Sequence, residues 1–455
     1  ARNMEEKFPD IVVSQPEIVA HHFAEAGLAE PAVGYWLKAG NLALNRSANA
    51  AVGHLEHGLK LIPRIDNPML CNKFELLLQT SLGNSLRAIK GWSSDSVKKA
   101  YTRALQLCQE SGLDEHTFPA VFGLWTWNFL RATLQEAQAL AEHLLNAAKN
   151  ADDPVYKVLA HEALGFTLLG RGEFAAAHME LERGISFCED NRSAAYLDLS
   201  AQDPQVHVRL YDGLALCFLG FPDQALRLCA DARRYADASR HPFSEAMAQT
   251  ISLRVHQLRG ETATVAGQAN AAIALCEEHE FVHYLAMSHI LRGWARTQQE
   301  SFEEGIAEIQ EGLSKERAIG ALLFETYSLG LLADACIKNK RYTQALEFLQ
   351  QVKLDEENTD HFYAAEIHRL LGETYLRSTQ NLDRAQHYFS KGLEIAQKQR
   401  AKLLELRLCL SICDLYGLRE NSDACRSQLA ETYGFFSEGF DTTDLVRARA
   451  RLENS

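Results

Sequence analysis

Apolar positions along this chain recur at helical spacing, and small residues recur among them at a second, longer spacing. In "ALGFTLLGRGEFAAAHMELERGISF", Ala163 to Phe187, apolar residues fall three and four apart, as on one face of a helix. Gly170 and Gly172 interrupt the run, which predicts a helix, a tight turn and a second helix. Gly165, Ala177 and Gly184 sit where large core residues would be expected. The pattern returns. With Ala177 as anchor, its equivalents are Ala225, Val265, Gly305, Ala345 and Ala385, the first step being 48 residues and the next four 40 each. Upstream, Ala137 lies 40 residues earlier, Val97 another 40, and Ala51 a further 46; a tenth, degenerate repeat follows near Ala424.

The rest of the pattern travels with each anchor. Twelve positions upstream come Gly165, Gly213, Leu253, Gly293 and Ala333; three upstream come Phe174, Pro222, Thr262, Phe302, Tyr342 and Leu382. Four downstream come Leu181, Cys229, Ala269, Ile309, Leu349 and Phe389; seven downstream come Gly184, Ala232, Ala272, Gly312, Val352 and Gly392. A fixed period with this internal order marks a solenoid of helix pairs. Small residues let the antiparallel helices A and B of each pair approach, and larger ones fill the gaps. The turns fall at Gly170/Gly172, Gly220–Pro222, Gly260 and Asn339–Lys340. The expectation is an all-α, right-handed solenoid of about ten repeats. Residues 1–30 form an N-terminal helical junction to a preceding domain, 31–435 the repeat array, and 436–455 a C-terminal capping helix and tail.

The order of small residues resembles the tetratricopeptide repeat, most clearly in "ALGFTLLGRGEFAAAHMELERGI" and "LLGETYLRSTQNLDRAQHYFSKGLEIA". The period departs from the usual 34 residues and implies long tetratricopeptide-like repeats extended at the B-to-A connection. Such repeats are similar to the helical sensor region of maltose-regulon-activator-type regulators. A wider resemblance is carried by "FPDIVVSQPEIVAHHFAEAGLAEPAVGYWLKAGNLALNRSANAAVGHLEHGLKL", "KGWSSDSVKKAYTRALQLCQE", "GLWTWNFLRATLQEA", "SAQDPQV", "SHILRGWA" and "YGFFSEGFDTTDLVRARARLE", in that order. Together these resemble the C-terminal array of bacterial multidomain proteins in which a class III nucleotidyl cyclase domain and a STAND (AAA-type) ATPase precede the repeats. The resemblance implies a regulatory array; the cyclase and ATPase motifs do not occur in this chain.

Charge and chemistry narrow the function classes. A net charge of −14 disfavours a broad nucleic-acid surface. The basic segments "RALQLC", "ALRLCADARRYA" and "VRARARLE" read as faces paired i,i+4 with acidic neighbours. No apolar run has the length of a membrane span. Ten cysteines without a C-x-x-C pair read as buried thiols of a cytoplasmic protein. No phosphate-binding loop, dinucleotide fingerprint, nucleophile elbow or zincin motif occurs, and His161-Glu162 continues as Ala-Leu-Gly. The reading is therefore a non-enzymatic interaction or regulatory module, without cofactor or metal. It binds a protein or peptide partner, a neighbouring domain of its parent, or a small ligand in the concave groove formed by the A helices. The alternatives are a small-molecule-sensing domain of a STAND-type transcription regulator, or an enzyme whose site is scattered across repeats.

Eleven residues upstream of the anchor the A helices offer Thr126, Phe166, Leu214, Arg254, Trp294 and Asp334 to that face. Trp125 and Trp127 flank the first of these, and His207, Tyr211 and Tyr327 lie on neighbouring turns. Arg254 and Trp294 occupy equivalent places in successive repeats and suit an anionic or planar ligand. The eight extra residues of the 48-residue step lie in "CEDNRSAAYLDLSAQDPQV", whose Arg192, Tyr196 and Asp203 are further candidates for a lobe over the groove or a contact to a neighbouring domain.

Overall fold

The computed structural model describes residues 9–44, 47–91, 93–111, 117–149, 151, 153–188, 203–354, 360–417 and 423–453. Its regular elements are helices, and no strand occurs among the described residues. From Ala29 onward they alternate as the period predicts. Helix pairs occupy Ala29–Leu44 with Ala48–Leu61 and Pro68–Lys90 with Asp95–Ser111, and the helices of the third repeat are Thr117–Leu130 and Leu134–Ala148. Pro154–Gly170 with Phe174–Cys188, Pro204–Leu219 with Pro222–Ser239, and Pro242–Arg259 with Thr262–Glu278 follow. The last four are Val282–Gln298 with Phe302–Ala318, Glu325–Lys338 with Tyr342–Leu349, Ala364–Thr379 with Leu382–Lys398, and Lys402–Gly417 with Asp423–Gly434. Helix Thr443–Glu453 closes the chain.

The B helices start at Phe174, Pro222, Thr262, Phe302, Tyr342 and Leu382, three residues before their anchors. Ala51, Ala137, Ala177, Ala225, Val265, Ala345 and Ala385 are all fully buried. Gly293 and Gly305 show why the seam needs small residues. A Cβ on Gly305 would stand 2.6 Å from the carbonyl oxygen of Gly293, and one on Gly293 2.8 Å from that of Gly305. The tenth repeat is shifted by one from its expected register. Ala424 is exposed, and Cys425, forty residues after Ala385, is buried together with Leu429 and Thr432 four and seven residues on.

The turns repeat as strictly as the seams. Gly172, Gly220 and Gly260 have φ of 77°, 96° and 78°, five residues before their anchors, and at each the A helix ends in a Schellman pair of hydrogen bonds. Glu300, Lys340 and Gln380 hold the same place with φ of 66°, 58° and 51°. At Lys340, its own N–H donates to the carbonyl of Ile337 at 3.1 Å and that of Arg341 to Cys336 at 2.8 Å. The motif thus survives where glycine does not, at a steric cost to the Cβ. Exposed Lys340→Gly is expected to raise stability by about 0.5–1 kcal/mol, read as a higher urea midpoint. Prolines open seven of the described helices, at Pro9, Pro16, Pro68, Pro154, Pro204, Pro222 and Pro242, where no amide donor is needed.

The chain divides into two compact units. The N-terminal unit comprises residues 1–131 with 319–321, and the C-terminal unit 132–318 with 322–455. The division falls inside the third repeat, between Thr117–Leu130 and Leu134–Ala148. In the C-terminal unit the two helix types differ sharply in burial. Fifteen of the sixteen residues of A helix Pro204–Leu219 are buried, against five of the eighteen of B helix Pro222–Ser239. A helices here are covered on all sides; B helices present one buried stripe and a polar outer face.

The basic segments find acidic partners mostly across helices. Arg103 pairs with Glu75 at 2.8 Å, Arg227 with Glu438 at 3.6 Å, and Arg447 with Asp414 at 2.5 Å. Only Arg234, paired with Asp231 at i,i+3, stays local among these.

Candidate functional site

The A-helix face of the C-terminal unit carries most of the candidate residues, and its own chain covers it. Phe362 is fully buried and meets Phe218 at 4.7 Å, Phe324 at 4.8 Å and Phe174 at 6.0 Å between ring centroids. It stands on an irregular connection. B helix Tyr342–Leu349 is only eight residues long, and the chain returns at Asp360–Tyr363 to lie against the A helices. The His361 N–H donates to the Gly170 carbonyl at 3.0 Å, and its carbonyl accepts from Gln399 Nε2 at 2.9 Å. Asp360 is buried, and loss of solvation pushes its carboxyl up to about 7 against the hydrogen bonds from Thr326.

Ionisable groups are gathered around these rings. Tyr211 stacks on Phe166 at 3.8 Å and meets the edge of His207 at 5.1 Å. His207 Nδ1 lies 3.0 Å from Oε1 of buried Glu162. Burial raises the Tyr211 phenol to about 12, with Arg254 pulling the other way. Arg254 is itself buried, its guanidinium over Phe324 at 4.3 Å and Tyr327 at 5.0 Å. The Tyr327 hydroxyl donates to Gln257 Oε1 at 2.7 Å. Glu316 lies 3.7 Å from His283 Nδ1. Burial pushes Glu316 up to about 8 despite Arg254, and burial and then Arg254 hold His283 down to about 4.

The sequence candidates fall in different places. Trp125 belongs to the N-terminal unit, buried between Phe122 at 5.1 Å and Phe129 at 5.2 Å. Tyr211, Arg254 and Trp294 lie in the C-terminal unit, each less than a tenth exposed. Arg254 takes its ring contacts from Phe324 and Tyr327 and not from Trp294. Asp203 caps helix Pro204–Leu219, accepting from the Gln205 N–H at 2.9 Å. Arg192 and Tyr196 lie outside the described residues. Sequence reasoning named Tyr327 and missed Phe324, Asp360 and Phe362. Tyr327 lies in A helix Glu325–Lys338, while Phe324, Asp360 and Phe362 stand on connections that the period does not describe.

Among the described residues no cluster of three or more His, Cys, Asp or Glu side chains is placed to hold a metal ion. No described helix is long and apolar enough to cross a membrane. The ten cysteines are free thiols, all buried but half-buried Cys71.

No protein-family model matches the chain. Over 405 residues it is 22% identical to an uncharacterised protein of Rhizobium meliloti (strain 1021), an alignment covering 87% of this chain and 39% of that protein. The chain thus spans about two fifths of the length of this relative. Among solved structures it is similar to a Rap protein complexed with competence and sporulation factor, with a TM-score of 0.56 and 11% identity over 81% of this chain and 98% of that one. The human IFIT1 dimer with m7Gppp-AAAA aligns with a TM-score of 0.46 and 14% identity over 98% of this chain and 96% of that one. At such identities the likeness to the Rap protein is one of fold, and the fold is an α-solenoid of tetratricopeptide-like helix pairs.

Proposed function

We propose that this chain is a non-enzymatic binding and regulatory module of a longer signalling protein, a STAND-type ATPase or nucleotidyl cyclase, and that it works in the cytoplasm. The observation that carries this reading is the inward A-helix face of the C-terminal unit. It concentrates buried ionisable groups, Glu162, Arg254 and Glu316, among aromatic rings. Burying charge is costly, and a fold that needed only a core would use apolar residues there. The greater length of the Rhizobium meliloti relative supports a place within a larger chain. The Rap protein's complex with competence and sporulation factor is a case of this fold carrying a bound factor. Partners are a protein or peptide, the neighbouring domains of the parent, or a small ligand. Tyr211, Arg254 and Trp294 on this face, with Trp125, Arg192, Tyr196 and Asp203, are the residues proposed to serve binding.

Two experiments test the reading. The purified chain is expected to turn over neither ATP nor GTP above a buffer blank; hydrolysis abolished by a point substitution in the chain would overturn the non-enzymatic reading. The gene's upstream coding sequence is expected to encode the ATPase, alone or with a cyclase, and neither being there would overturn the parental assignment. The insertion gives a third expectation. Replacing residues 190–202 by a short Gly/Ser linker, with Asp203 kept, is expected to preserve the circular dichroism spectrum and impair regulation of the parent's output. Extending the replacement through Asp203 adds the loss of an N-cap, about 1 kcal/mol of stability. Unchanged regulation by the shorter replacement would remove the insertion from the mechanism.

A further inference from the structure

Arg254 differs from the other buried and part-buried arginines on the inner helices of the C-terminal unit. Arg259 pairs with Asp223, Glu261 and Asp441; Arg369 with Glu366 and Glu373; Arg407 with Asp444. Arg209 donates to the Gln205 carbonyl at 2.9 Å and lies over Tyr235. Arg254 has no carboxylate partner among the described residues, and its Nε has no hydrogen-bond partner. What it has is aromatic: the ring of Phe324 over its guanidinium, and Tyr327 beside it. A guanidinium cannot shed its charge, so burial without an anion leaves part of its desolvation cost uncompensated.

The residue that covers it is held in an unusual backbone state. Phe324 has φ 68° and ψ 14°, the left-handed region, which a bulky residue adopts only under constraint. The other non-glycine residues in that region belong to two periodic sets. Ala132, Glu300, Lys340 and Gln380 stand five residues before an anchor, and Arg240, Glu280 and Arg400 fifteen after one. Phe324 belongs to neither. The turn chemistry of the solenoid therefore does not explain it, and its strained backbone places an aromatic ring on an unpaired cation.

We infer that Arg254 anchors an interior site for a small aromatic molecule bearing a single carboxylate, and that the Phe324 ring occupies the place of that molecule's ring in its absence. The carboxylate takes Nε and one Nη of Arg254 in the forked geometry that a guanidinium favours, and the ligand's ring lies against Tyr327. Charge selects a monoanion. One arginine serves the site, with Glu162 beyond Tyr211, so the second charge of a dianionic phosphate would find no cation to offset it. This deepens, and rests on, the reading of the chain as a binding module.

The test uses the full chain with phenylacetate, phenylacetamide and phenyl phosphate as probes, followed by calorimetry and ligand-observed NMR. Phenylacetate is expected to bind saturably and phenylacetamide, which has the same ring without the charge, at least about tenfold more weakly. Phe324→Gly removes the covering ring and suits the left-handed backbone, so it is expected to fold and to tighten phenylacetate by about tenfold. Arg254→Met is expected to abolish the preference for acid over amide, and Arg254→Lys to keep part of it. If Arg254→Met fails to fold, the Phe324→Gly and acid-against-amide comparisons decide. Equal affinity for acid and amide, tighter binding of phenyl phosphate, or no saturable binding of phenylacetate by Phe324→Gly at millimolar concentration would each overturn the inference. None of these results touches the nucleotide-turnover test of the broader reading, so the two fail separately.

Discussion

Gly305→Leu is expected to destabilise the helix pair Val282–Gln298 and Phe302–Ala318 by about 3 kcal/mol or more. A Cβ at this position would stand 2.5 Å from Thr297 Cγ2 and 2.6 Å from the Gly293 carbonyl oxygen. The second of these is backbone and cannot rotate away, so the two helices must separate. Ala177→Leu meets the equivalent seam, where the Cβ of an alanine is already accommodated without exposure, and is expected to cost about 1–3 kcal/mol. Glu303→Leu, two residues from Gly305 on the outer face, is the control. It gives up an exposed ion pair with Arg341 and is expected to stay within about 0.5 kcal/mol. Solenoid stability is close to a sum of local and nearest-neighbour terms, so hydrogen exchange should rise in the altered pair and those beside it while distant pairs keep their protection. Equal costs for Gly305→Leu and Glu303→Leu, or an even loss of protection along the C-terminal unit, would contradict the seam.

The seams were legible in the sequence because their requirement is local and repeated. Two helices joined by a tight turn touch at the same offset each time, and a small residue there is conspicuous among apolar neighbours. The turns were half legible. Gly220 and Gly260 announce a left-handed residue, whereas Glu300 and Gln380 adopt the same conformation and show it only through their register. The tenth anchor, Cys425, was obscured by an adjacent alanine, although counting forty from Ala385 reaches it. What could not be read was the covering of the A-helix face. Phe362 reaches Phe174 and Phe218 across 188 and 144 residues, and it does so from a connection that departs from the repeat. Arg254 stood out as the one cation of its stripe, between Leu214 and Trp294. The ring that covers it did not, because Phe324 precedes the A helix of a repeat two places further on.

Arg369→Leu carries the second large effect, and its size depends on pH. Arg369 binds Glu366 through two bonds, Nη2 to Oε1 at 2.7 Å and Nε to Oε2 at 2.9 Å, and reaches Glu373 Oε1 at 3.5 Å. Both carboxylates are less than a tenth exposed. Glu373 also accepts from Arg377 Nε at 2.8 Å and from Ser411 Oγ at 2.8 Å. Removing the shared cation leaves two buried carboxylates short of a partner, at a cost of about 3–5 kcal/mol at pH 7. Burial alone would push the Glu373 carboxyl up, but Arg369 and then Arg377 outweigh it and hold the group below its ordinary value. A depressed folded value stabilises above the unfolded carboxylate range, near pH 4.3, and that contribution is lost as pH falls through the folded value. In Arg369→Leu the balance shifts back toward burial, so the carboxylates are a burden at neutral pH that protonation relieves. The gap in urea midpoint between the parent chain and Arg369→Leu should therefore be widest near pH 7 and narrow toward pH 4.5. Glu316 and Asp360, which burial drives up to about 8 and about 7, weaken both proteins alike as pH rises from the unfolded carboxylate range to those values, and cancel in the difference. Glu366→Gln in the Arg369→Leu background should recover part of the loss at pH 7 and little in acid. A gap of constant width across this range would show that Arg369 acts through the packing of its aliphatic stem, and the ionic account of this part of the solenoid would fail.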